Sequence, residues 1–439
     1  MSFRLPTEFW KGFAQDTWKK QPRVFKKAFD GRLFTTPREL FEISREATEQ
    51  FARTAGMRGD MSCQINVGKS IVLNDHVRLM PSQADGSFEV WARRMREEMG
   101  NQGFMFYVNS AQRHSPLLFQ RYREFTDGLF TQIGLPSWKI SSDIFIGDYP
   151  ETSFGVHRDT VDSFHFVTLG LKRFLFWPQE ALLHHVQDGL DVSGIEYSLQ
   201  LKSLAEIKEK PLILEGEPGD VIYFPGHFWH TAQGTGALVA STSCYIDLYC
   251  SPLMETFPDL VRGKLQPVEE THPFTPYAPE RRQEVAGAIP ELLRGTARRV
   301  GQGLQELVNG GLERELELTW LRYVSGGGFM RVPPPASPVA LDETQALELV
   351  AEANLVWREL PGGEVGCAAN GHVRCYPKSR GLLETLQRLS GGGAHRVGAL
   401  LDEVKPEAQG ASEGWSRESL RELLTTLVAQ RALVVTPAG

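Results

Sequence analysis

Two histidines and one aspartate in this 439-residue chain have the types and spacing of a metal site. His157 and Asp159 stand two residues apart, and His230 follows much later. Because side chains at i and i+2 of a β-strand point to the same side, both could face a barrel lumen while Arg158 points away. We expect a distant strand to bring His230 in from across the barrel. Two imidazoles and one carboxylate on one face of an ion are the ligands of non-haem Fe(II) centres, which leave the opposite positions open.

The surroundings of His230 make the pattern more specific. Gly219-Asp220 predicts a tight turn before the strand 221–224, whose residues are β-branched or aromatic. Pro225-Gly226 ends that strand, and Phe228-Trp229 places apolar bulk beside the histidine. A His-x-Asp pair alone occurs often by chance, whereas the pair joined to this block is a fairly specific signal.

With these motifs the chain resembles the JmjC family, the cupin-like Fe(II)- and 2-oxoglutarate-dependent oxygenases, and its layout is most similar to the ribosomal oxygenase branch. The resemblance implies an α+β fold: a double-stranded β-helix (jelly-roll) core with flanking helices, a helical module and a winged-helix-like C-terminal domain. It also implies Fe(II), 2-oxoglutarate and O2 as cofactor and cosubstrates, with His157, Asp159 and His230 as metal ligands and catalytic residues.

The same resemblance implies which residues bind 2-oxoglutarate. Family members hold its distal carboxylate with a basic residue in a Gly-x-Lys or Gly-x-Arg stretch, and Lys172 takes that position here. The alternative is a lysine that extends along a sheet edge into solvent. Tyr107 is a second candidate, although an ordinary half-buried strand tyrosine fits equally well. Ser241 and Ser243 on the closing strand are further candidates, and small residues tolerated in a crowded lumen are at least as good an explanation.

One position departs from the family pattern. Many relatives have a threonine three residues before the first metal histidine, where it contacts 2-oxoglutarate. This chain has Phe154 there, with Ser153 one position earlier. Either Ser153 substitutes through a bulge, or the cosubstrate pocket differs.

The remaining histidines are weaker candidates for metal ligands. His165 shares the strand parity of the His-x-Asp pair and could line the lumen, whereas His227 is out of parity with His230. His184-His185 lie in an apparent insertion, and His114 is expected at the surface. The His-Arg-Asp tripeptide also occurs in the catalytic loop of protein kinases, but their other motifs do not follow in the required order.

Composition limits the classes of protein that this chain could be. A hydrophobic content of 41% and a charged content of 23% are typical of a soluble globular protein. The net charge of −7 weighs against general nucleic-acid binding and suits a basic peptide partner. Five scattered cysteines indicate a reducing compartment. Neither a membrane-spanning run nor a signal peptide is predicted, so we expect a cytoplasmic protein.

The length predicts two or three domains. We place a JmjC/cupin-like catalytic domain at 1–254, a helical linker or dimerisation module at 255–328 and a winged-helix-like domain at 329–439. In the first domain, Thr36 and Glu39 predict the capped start of a helix. The next predicted elements are a strand at 103–108, a helix at 117–133 and a strand at 142–149, and the stretch 179–210 is predicted as an insertion at the substrate mouth.

Helices dominate the predicted C-terminal half. Two helices are expected between 280 and 324, broken around Asn309-Gly310-Gly311, with apolar faces that either form a homodimer or pack on the barrel. Gly326-Gly327-Gly328 and Pro333-Pro334-Pro335 predict a linker. Asn370-Gly371 predicts a hairpin that joins strands 354–358 and 372–376. The winged-helix prediction itself rests on helices at 381–389, 397–404 and 417–430 and a strand at 433–435, where no basic stripe indicates DNA binding.

The favoured hypothesis is an Fe(II)- and 2-oxoglutarate-dependent oxygenase that hydroxylates a protein or peptide side chain and produces succinate and CO2. An N-demethylase on the same scaffold and a small-molecule hydroxylase of a biosynthetic pathway are alternatives. A catalytically silent cupin scaffold whose C-terminal domain recruits a partner or DNA is a third alternative, kept open by Phe154.

Overall fold

A β-barrel of two facing sheets forms the first half of the chain. The computed structural model describes residues 2–54, 62–72, 76–100, 102–136, 140–192, 195–201, 203–247, 291–350, 353–404 and 415–436. The barrel strands in chain order are β1 (Arg23–Phe25), β2 (Cys63–Val67), β3 (Ser70–Ile71), β4 (Phe104–Val108), β5 (Ile140–Ser141), β6 (Ile144–Asp148), β7 (His157–Arg158), β8 (Val161–Leu169), β9 (Lys172–Trp177), β10 (Tyr197–Ser198), β11 (Leu212–Gly216), β12 (Val221–Phe224), β13 (Trp229–Gln233) and β14 (Val239–Asp247).

The two sheets differ in size. The large sheet has nine strands in the order β1-β12-β8-β14-β6-β4-β2-β3, with β5 paired to β14, and the small sheet has five in the order β10-β7-β13-β9-β11. All pairs within them are antiparallel, which allows each sheet to bury one face in the lumen. The predicted strands at 103–108 and 142–149 are confirmed as β4 and β6.

Alternation along β8 shows how the layers are built. His165 and Val167 point into the lumen, where Val167 packs with residues of β9, β12 and β13. Phe164 and Phe166 point the other way, into the main hydrophobic core beneath the helices. The stacked rings of Phe34 and Phe166, with centroids 4.0 Å apart, belong to this core. The period of two along the strand therefore separates the side chains that face the lumen from those that face the aromatic core.

Four helices cover the outer face of the large sheet: α1 (Thr7–Asp16), α2 (Pro37–Thr54), α3 (Phe88–Met99) and α4 (Pro116–Ile133). The predicted Thr36 cap at the start of α2 is confirmed, and with Glu39 it forms a capping box: Glu39 N–H donates to the Thr36 hydroxyl at 3.2 Å and Thr36 N–H donates to the Glu39 carboxylate at 2.8 Å. The predicted helix at 117–133 is confirmed as α4. His114, expected at the surface, is only 4% exposed, because the turn before α4 folds into the core.

The expected insertion covers the outer face of the small sheet. After β9 it forms a 3₁₀-helix at Gln179–His185, and after β10 a short 3₁₀-turn at Leu204–Glu206. Its apolar side chains pack on the sheet through a cluster that includes Trp177, Trp229 and Leu182. The insertion is therefore folded onto the barrel and shares a hydrophobic core with the small sheet.

Helices α5 (Glu291–Glu306) and α6 (Leu312–Ser325) follow the barrel. The predicted break between them is wrong, because Leu307–Gly311 continues the helix as a π-helical turn. α6 packs on a sheet of the C-terminal region, with Leu318 and Leu321 buried, which neither predicted alternative foresaw. Homodimer formation stays a prediction. The predicted barrel end at 250–252 and the helix start at 280 lie outside the described residues.

The C-terminal region contains two small antiparallel sheets. The predicted two-residue turn is confirmed, with Asn370 at φ 49° and Gly371 at φ 82°, but the predicted pairing of 354–358 with 372–376 is wrong because an additional strand lies between them. The three predicted helices and the final strand are present, and the winged-helix assignment stays a prediction. The elements are β15 (Ala346–Leu349), β16 (Val356–Leu360), β17 (Glu364–Ala369), β18 (His372–Pro377), α7 (Arg380–Ser390), β19 (Ala394–Arg396), α8 (Val397–Asp402), α9 (Arg417–Ala429) and β20 (Leu433–Thr436), in the sheets β16-β17-β18 and β19-β15-β20.

The glycine-rich segment predicted as a linker is docked against the barrel. Phe329 is fully buried, packs against Phe119 and Tyr122, and forms a parallel bridge with Ile140. Gln112 donates a hydrogen bond of 2.6 Å to the carbonyl of Arg331. The chain is therefore fastened to the barrel at this point. Within the described ranges, no helix is both long and apolar enough to cross a membrane.

Candidate metal centre

The three predicted ligands meet on the lumen face of the small sheet. His157 lies on β7, Asp159 follows directly after that strand, and His230 lies on β13. The expectation that His230 comes from across the barrel is wrong, because β13 pairs with β7 and His230 stands opposite His157 in the register. Arg158 points away as predicted, with its guanidinium 5.6 Å from the ring centroid of Trp229 on the outer face.

The ligand atoms are close enough to share one ion. All three lie within 4.8 Å of one another. Nε2 of His157 is 3.7 Å from Oδ1 of Asp159, and Nε2 of His230 is 3.4 Å from Oδ2 of Asp159. An ion bound at about 2.1 Å places neighbouring ligand atoms roughly 3 Å apart, so a small contraction completes the site.

Backbone carbonyls select the tautomer of both histidines. Nδ1 of His157 lies 3.1 Å from the Gly155 carbonyl, and Nδ1 of His230 lies 3.1 Å from the Phe228 carbonyl. A carbonyl oxygen only accepts, so each Nδ1 carries the proton and each Nε2 keeps its lone pair. Such orientation of the ligands through their second nitrogen is typical of metal-binding histidines.

Burial and mutual proximity put the ligands in the protonation states that a cation needs. Burial, together with the neighbouring His230, lowers the pKa of His157 to about 4. Burial alone would raise the pKa of Asp159, but His230 and His157 outweigh it and lower this pKa to about 2. At neutral pH His157 is therefore neutral and Asp159 ionised, as required for binding a divalent metal.

A loop glycine holds the Asp159 segment beside the His230 segment. A Cβ atom on Gly226 would lie 3.0 Å from the Asp159 carbonyl oxygen and 2.5 Å from that of Val161, so only glycine allows this approach. The Gly226 N–H donates to Oδ1 of the buried Asp162 at 3.1 Å. Burial raises the pKa of Asp162 to about 7. The charge of the carboxyl that accepts the Gly226 hydrogen bond therefore changes near neutral pH.

The ligands open into a cavity of about 570 Å³ between the two sheets. Its interior includes His165, as the strand parity predicted, together with Lys172, Phe174 and Tyr245. Nδ1 of His165 is buried and has no hydrogen-bond partner among the described residues. Burial and the nearby Lys172 lower the His165 pKa well below its ordinary value, so this ring is a neutral polar group in the wall.

Lys172 is a buried cation that a bound anion would stabilise. It is only 2% exposed, which rules out the alternative of a lysine extending into solvent. Its Nζ donates to the Tyr149 hydroxyl at 3.2 Å and lies 5.2 Å and 5.3 Å from the ring centroids of Phe174 and Phe145. In the part of the chain that the structure describes, no carboxylate forms an ion pair with it. A buried ammonium is costly unless paired, and a ligand carboxylate in the cavity would pair it.

Tyr107 lines the cavity, but its hydroxyl proton is already donated in a hydrogen bond to Asp143. The hydroxyl donates to Oδ2 of Asp143 at 2.6 Å and accepts from Nδ2 of Asn109 at 3.3 Å. Burial and the adjacent Asp143 raise the pKa of Tyr107 well above its ordinary value, so the phenol stays neutral. A direct contact with 2-oxoglutarate stays a prediction, and it requires the phenol to exchange its partner.

The hydroxyl residues of the cavity differ from those expected. Ser241 and Ser243 share the lumen side of β14 with Tyr245 but do not reach the cavity lining, and their cosubstrate contacts stay predictions. Near the departure at Phe154, the residue that lines the cavity is Thr152 rather than Ser153. Within the described chain, its buried Oγ1 has no hydrogen-bond partner, so it is available to a ligand.

The exposed lining residues define the rim: Phe154, Glu196, Ser198 and Arg331. Glu196 and Ser198 belong to the insertion, as expected for a substrate mouth, whereas Arg331 comes from the docked segment after α6. Sequence reasoning missed Asp143, Thr152 and Arg331. Their residue types are common on surfaces, and no local pattern distinguishes them before the fold brings them to the cavity.

A comparison with known families agrees with this architecture. The model of the cupin-like domain family matches residues 13–247, more than half of the chain. The chain belongs to the cupin-like family. The predicted cupin-like α+β fold is thereby confirmed, and the candidate metal ligands of this cupin-like protein lie within the matched region. No curated protein matches the chain.

Solved structures with a similar outline include Escherichia coli YcfD, a ribosomal oxygenase. One of these structures is 17% identical to this chain with a TM-score of 0.46, and the alignment covers 99% of each chain. Another, in complex with cobalt and 2-oxoglutarate, is 17% identical with a TM-score of 0.43 and covers 97% and 98%. Family membership is shown by the match of the cupin-like domain to residues 13–247.

Proposed function

We propose that this protein is an Fe(II)- and 2-oxoglutarate-dependent oxygenase. The observation that carries the proposal is the convergence of His157, Asp159 and His230 with the buried Lys172 on one cavity. Two imidazoles and one carboxylate suit Fe(II) and leave positions for a chelating cosubstrate and dioxygen. The buried ammonium of Lys172, beside the rings of Phe145 and Phe174, suits the distal carboxylate of a dicarboxylic 2-oxo acid.

The residues have separate tasks in this proposal. His157, Asp159 and His230 would hold the iron, which supplies the redox chemistry for activating O2. Lys172 binds the distal carboxylate, and the aromatic rings around it exclude water. One oxygen atom of O2 enters succinate as 2-oxoglutarate loses CO2, and the other enters the substrate as a hydroxyl group.

A protein or peptide side chain is the proposed substrate. The rim presents an anion at Glu196, a cation at Arg331 and an aromatic ring at Phe154, so a polypeptide passing over it meets three kinds of contact. The cavity of about 570 Å³ has room for 2-oxoglutarate and one inserted side chain. The net charge of −7 favours a basic peptide.

The first test is cosubstrate binding and turnover. Calorimetry under anaerobic conditions should show 2-oxoglutarate binding to the Fe(II)-loaded protein, and succinate should form only when O2 is admitted. The His157→Ala variant should lose both 2-oxoglutarate binding and succinate formation. His395 lies in a C-terminal sheet, so the His395→Ala variant serves as the matched control and should retain both. Oxygen-dependent succinate formation that survives His157→Ala would contradict the assigned site, and no binding in the loaded wild type would favour a silent scaffold.

The second test identifies the substrate class. The loaded protein is incubated with a basic peptide library and separately with a pool of small metabolites, and mass spectrometry detects the addition of one oxygen atom. Hydroxylated peptides support the proposal. Modification restricted to metabolites supports a biosynthetic hydroxylase instead, and formaldehyde release from N-methylated peptides supports a demethylase.

A further inference from the structure

A second group of two histidines and one carboxylate lies outside the barrel. His184, His185 and Glu209 offer ligand atoms that all lie within 4.8 Å of one another. Nε2 of His184 is 3.6 Å from Oε1 of Glu209, and the two imidazole rings have centroids 4.2 Å apart. The spacing is close to the roughly 3.4 Å that separates neighbouring ligands around a tetrahedral ion bound at about 2.1 Å.

Two atoms of this cluster are buried without a hydrogen bond. Nε2 of His185 and Oε2 of Glu209 are shielded from solvent, and in the described ranges neither has a hydrogen-bond partner. Leaving a carboxylate oxygen and a ring nitrogen unsatisfied costs free energy. A cation between them would satisfy both atoms.

The backbone of the cluster is fixed from the barrel side. Nε1 of Trp177 donates to the carbonyl of Glu209 at 2.8 Å, and Nε1 of Trp229 donates to the carbonyl of Gln179 at 2.8 Å. Gln179 begins the 3₁₀-helix that carries both histidines, so two buried indoles hold the two sides of the cluster. The more exposed His184 can rotate to complete a site that the other residues already present.

We propose that His184, His185 and Glu209 form a second divalent-cation site of the zinc class, with water completing the coordination. Imidazole nitrogens and a carboxylate are ligands that Zn²⁺ prefers. The ion joins the end of the first 3₁₀-helix of the insertion to the last residues of the insertion. Since the same insertion carries Glu196 and Ser198 to the rim, the ion restrains the part of the chain that faces substrate.

Zinc stoichiometry of the full-length protein tests the site. Titration with Zn²⁺ alone, followed by desalting and metal analysis, should give two ions per chain for the wild type. His185→Ala and the nearly isosteric Glu209→Gln should each give one, while Glu180→Gln, an exposed carboxylate on the same 3₁₀-helix, should keep two. A stoichiometry that neither substitution changes would overturn the proposal, because the cluster would then be only a polar contact between His184 and Glu209.

Hydrogen exchange provides the second readout and a check on folding. Zn²⁺ should slow amide exchange in the described parts of 179–210 in the wild type and in His157→Ala, but not in Glu209→Gln. Unchanged exchange in the wild type would also overturn the proposal. His157→Ala removes the lumen ion and leaves the outer one, so failure of the oxygenase proposal and failure of this one give different results.

Discussion

The lumen triad (His157, Asp159 and His230) and the insertion triad (His184, His185 and Glu209) each combine two imidazoles and one carboxylate, in different surroundings. The lumen histidines sit opposite each other on paired strands, and backbone carbonyls fix their tautomers. The insertion histidines are neighbours on a single 3₁₀-helix, with His184 exposed. The first arrangement faces a cavity with a buried cation, whereas the second joins two chain segments. The ligand types therefore indicate that each triad can bind a metal ion. The surroundings determine whether a cosubstrate and a substrate can reach that ion.

The largest expected effect separates the two triads directly. His230→Ala should lower oxygen-dependent succinate formation more than about 100-fold, because even losses in the outer shell of a metal site cost 10–100-fold. His185→Ala should leave the lumen iron at one per chain. Iron analysis after anaerobic loading and a succinate assay measure both results. Turnover of His230→Ala within ten-fold of the wild type would show that the lumen triad is not the reactive one.

The buried cation is what most distinguishes the lumen site. Lys172→Met should raise KM for 2-oxoglutarate about 100-fold, because it removes a desolvated charge from the proposed carboxylate site. Lys172→Arg should recover part of the loss. Arg173→Met is the control, since Arg173 points to the other face and pairs with Glu215 at 2.6 Å on the surface. Equal effects of the substitutions at 172 and 173 would contradict the anchor role.

Asp162 accepts a hydrogen bond from the loop beside the lumen triad, and its contribution to the free energy of unfolding depends on pH. Its folded pKa of about 7 lies above the ordinary value of 3.8, so its contribution to stability is complete below pH 4 and is lost as the pH rises through 7. A shift of this size corresponds to at most about 4 kcal/mol, and we expect Asp162→Asn to stabilise the protein by about 2 kcal/mol at pH 8 and very little at pH 4. Denaturant unfolding at both pH values measures the difference. A stabilisation equal at both would disprove the titration.

The smallest expected effect concerns Tyr107. Tyr107→Phe should raise KM for 2-oxoglutarate only about 3-fold, because the phenol proton is donated to Asp143 and a neutral hydrogen bond contributes little net free energy. The pH profile of turnover should show no phenol titration below pH 10, since the Tyr107 pKa is raised. Steady-state kinetics of the variant test this, and a 100-fold increase would instead identify the phenol as a direct ligand of the cosubstrate.

The sequence predicts that the candidate metal ligands and Lys172 meet at one cavity, because their spacing is local or belongs to a recognisable block. It does not predict that His157 and His230 are neighbours, since strand order depends on long-range pairing. β17 escaped prediction because its Gly366, Cys367 and Ala368 lack the β-branched residues that indicate strands. Thr152 and Asp143 were missed for a related reason. They are ordinary polar residues in the sequence, and they belong to the site only because the fold buries them beside the cavity.

The docked segment around Phe329 has a consequence for any attempt to cut the molecule into pieces. Its aromatic ring fills a slot in the barrel, and two residues later Arg331 stands at the cavity rim. An excised fragment ending before Gly326 would carry every proposed iron ligand, yet it would expose that slot to water and lack the Arg331 charge at the cavity rim. Such a shortened protein should aggregate readily, and any catalysis that it kept should show altered substrate choice.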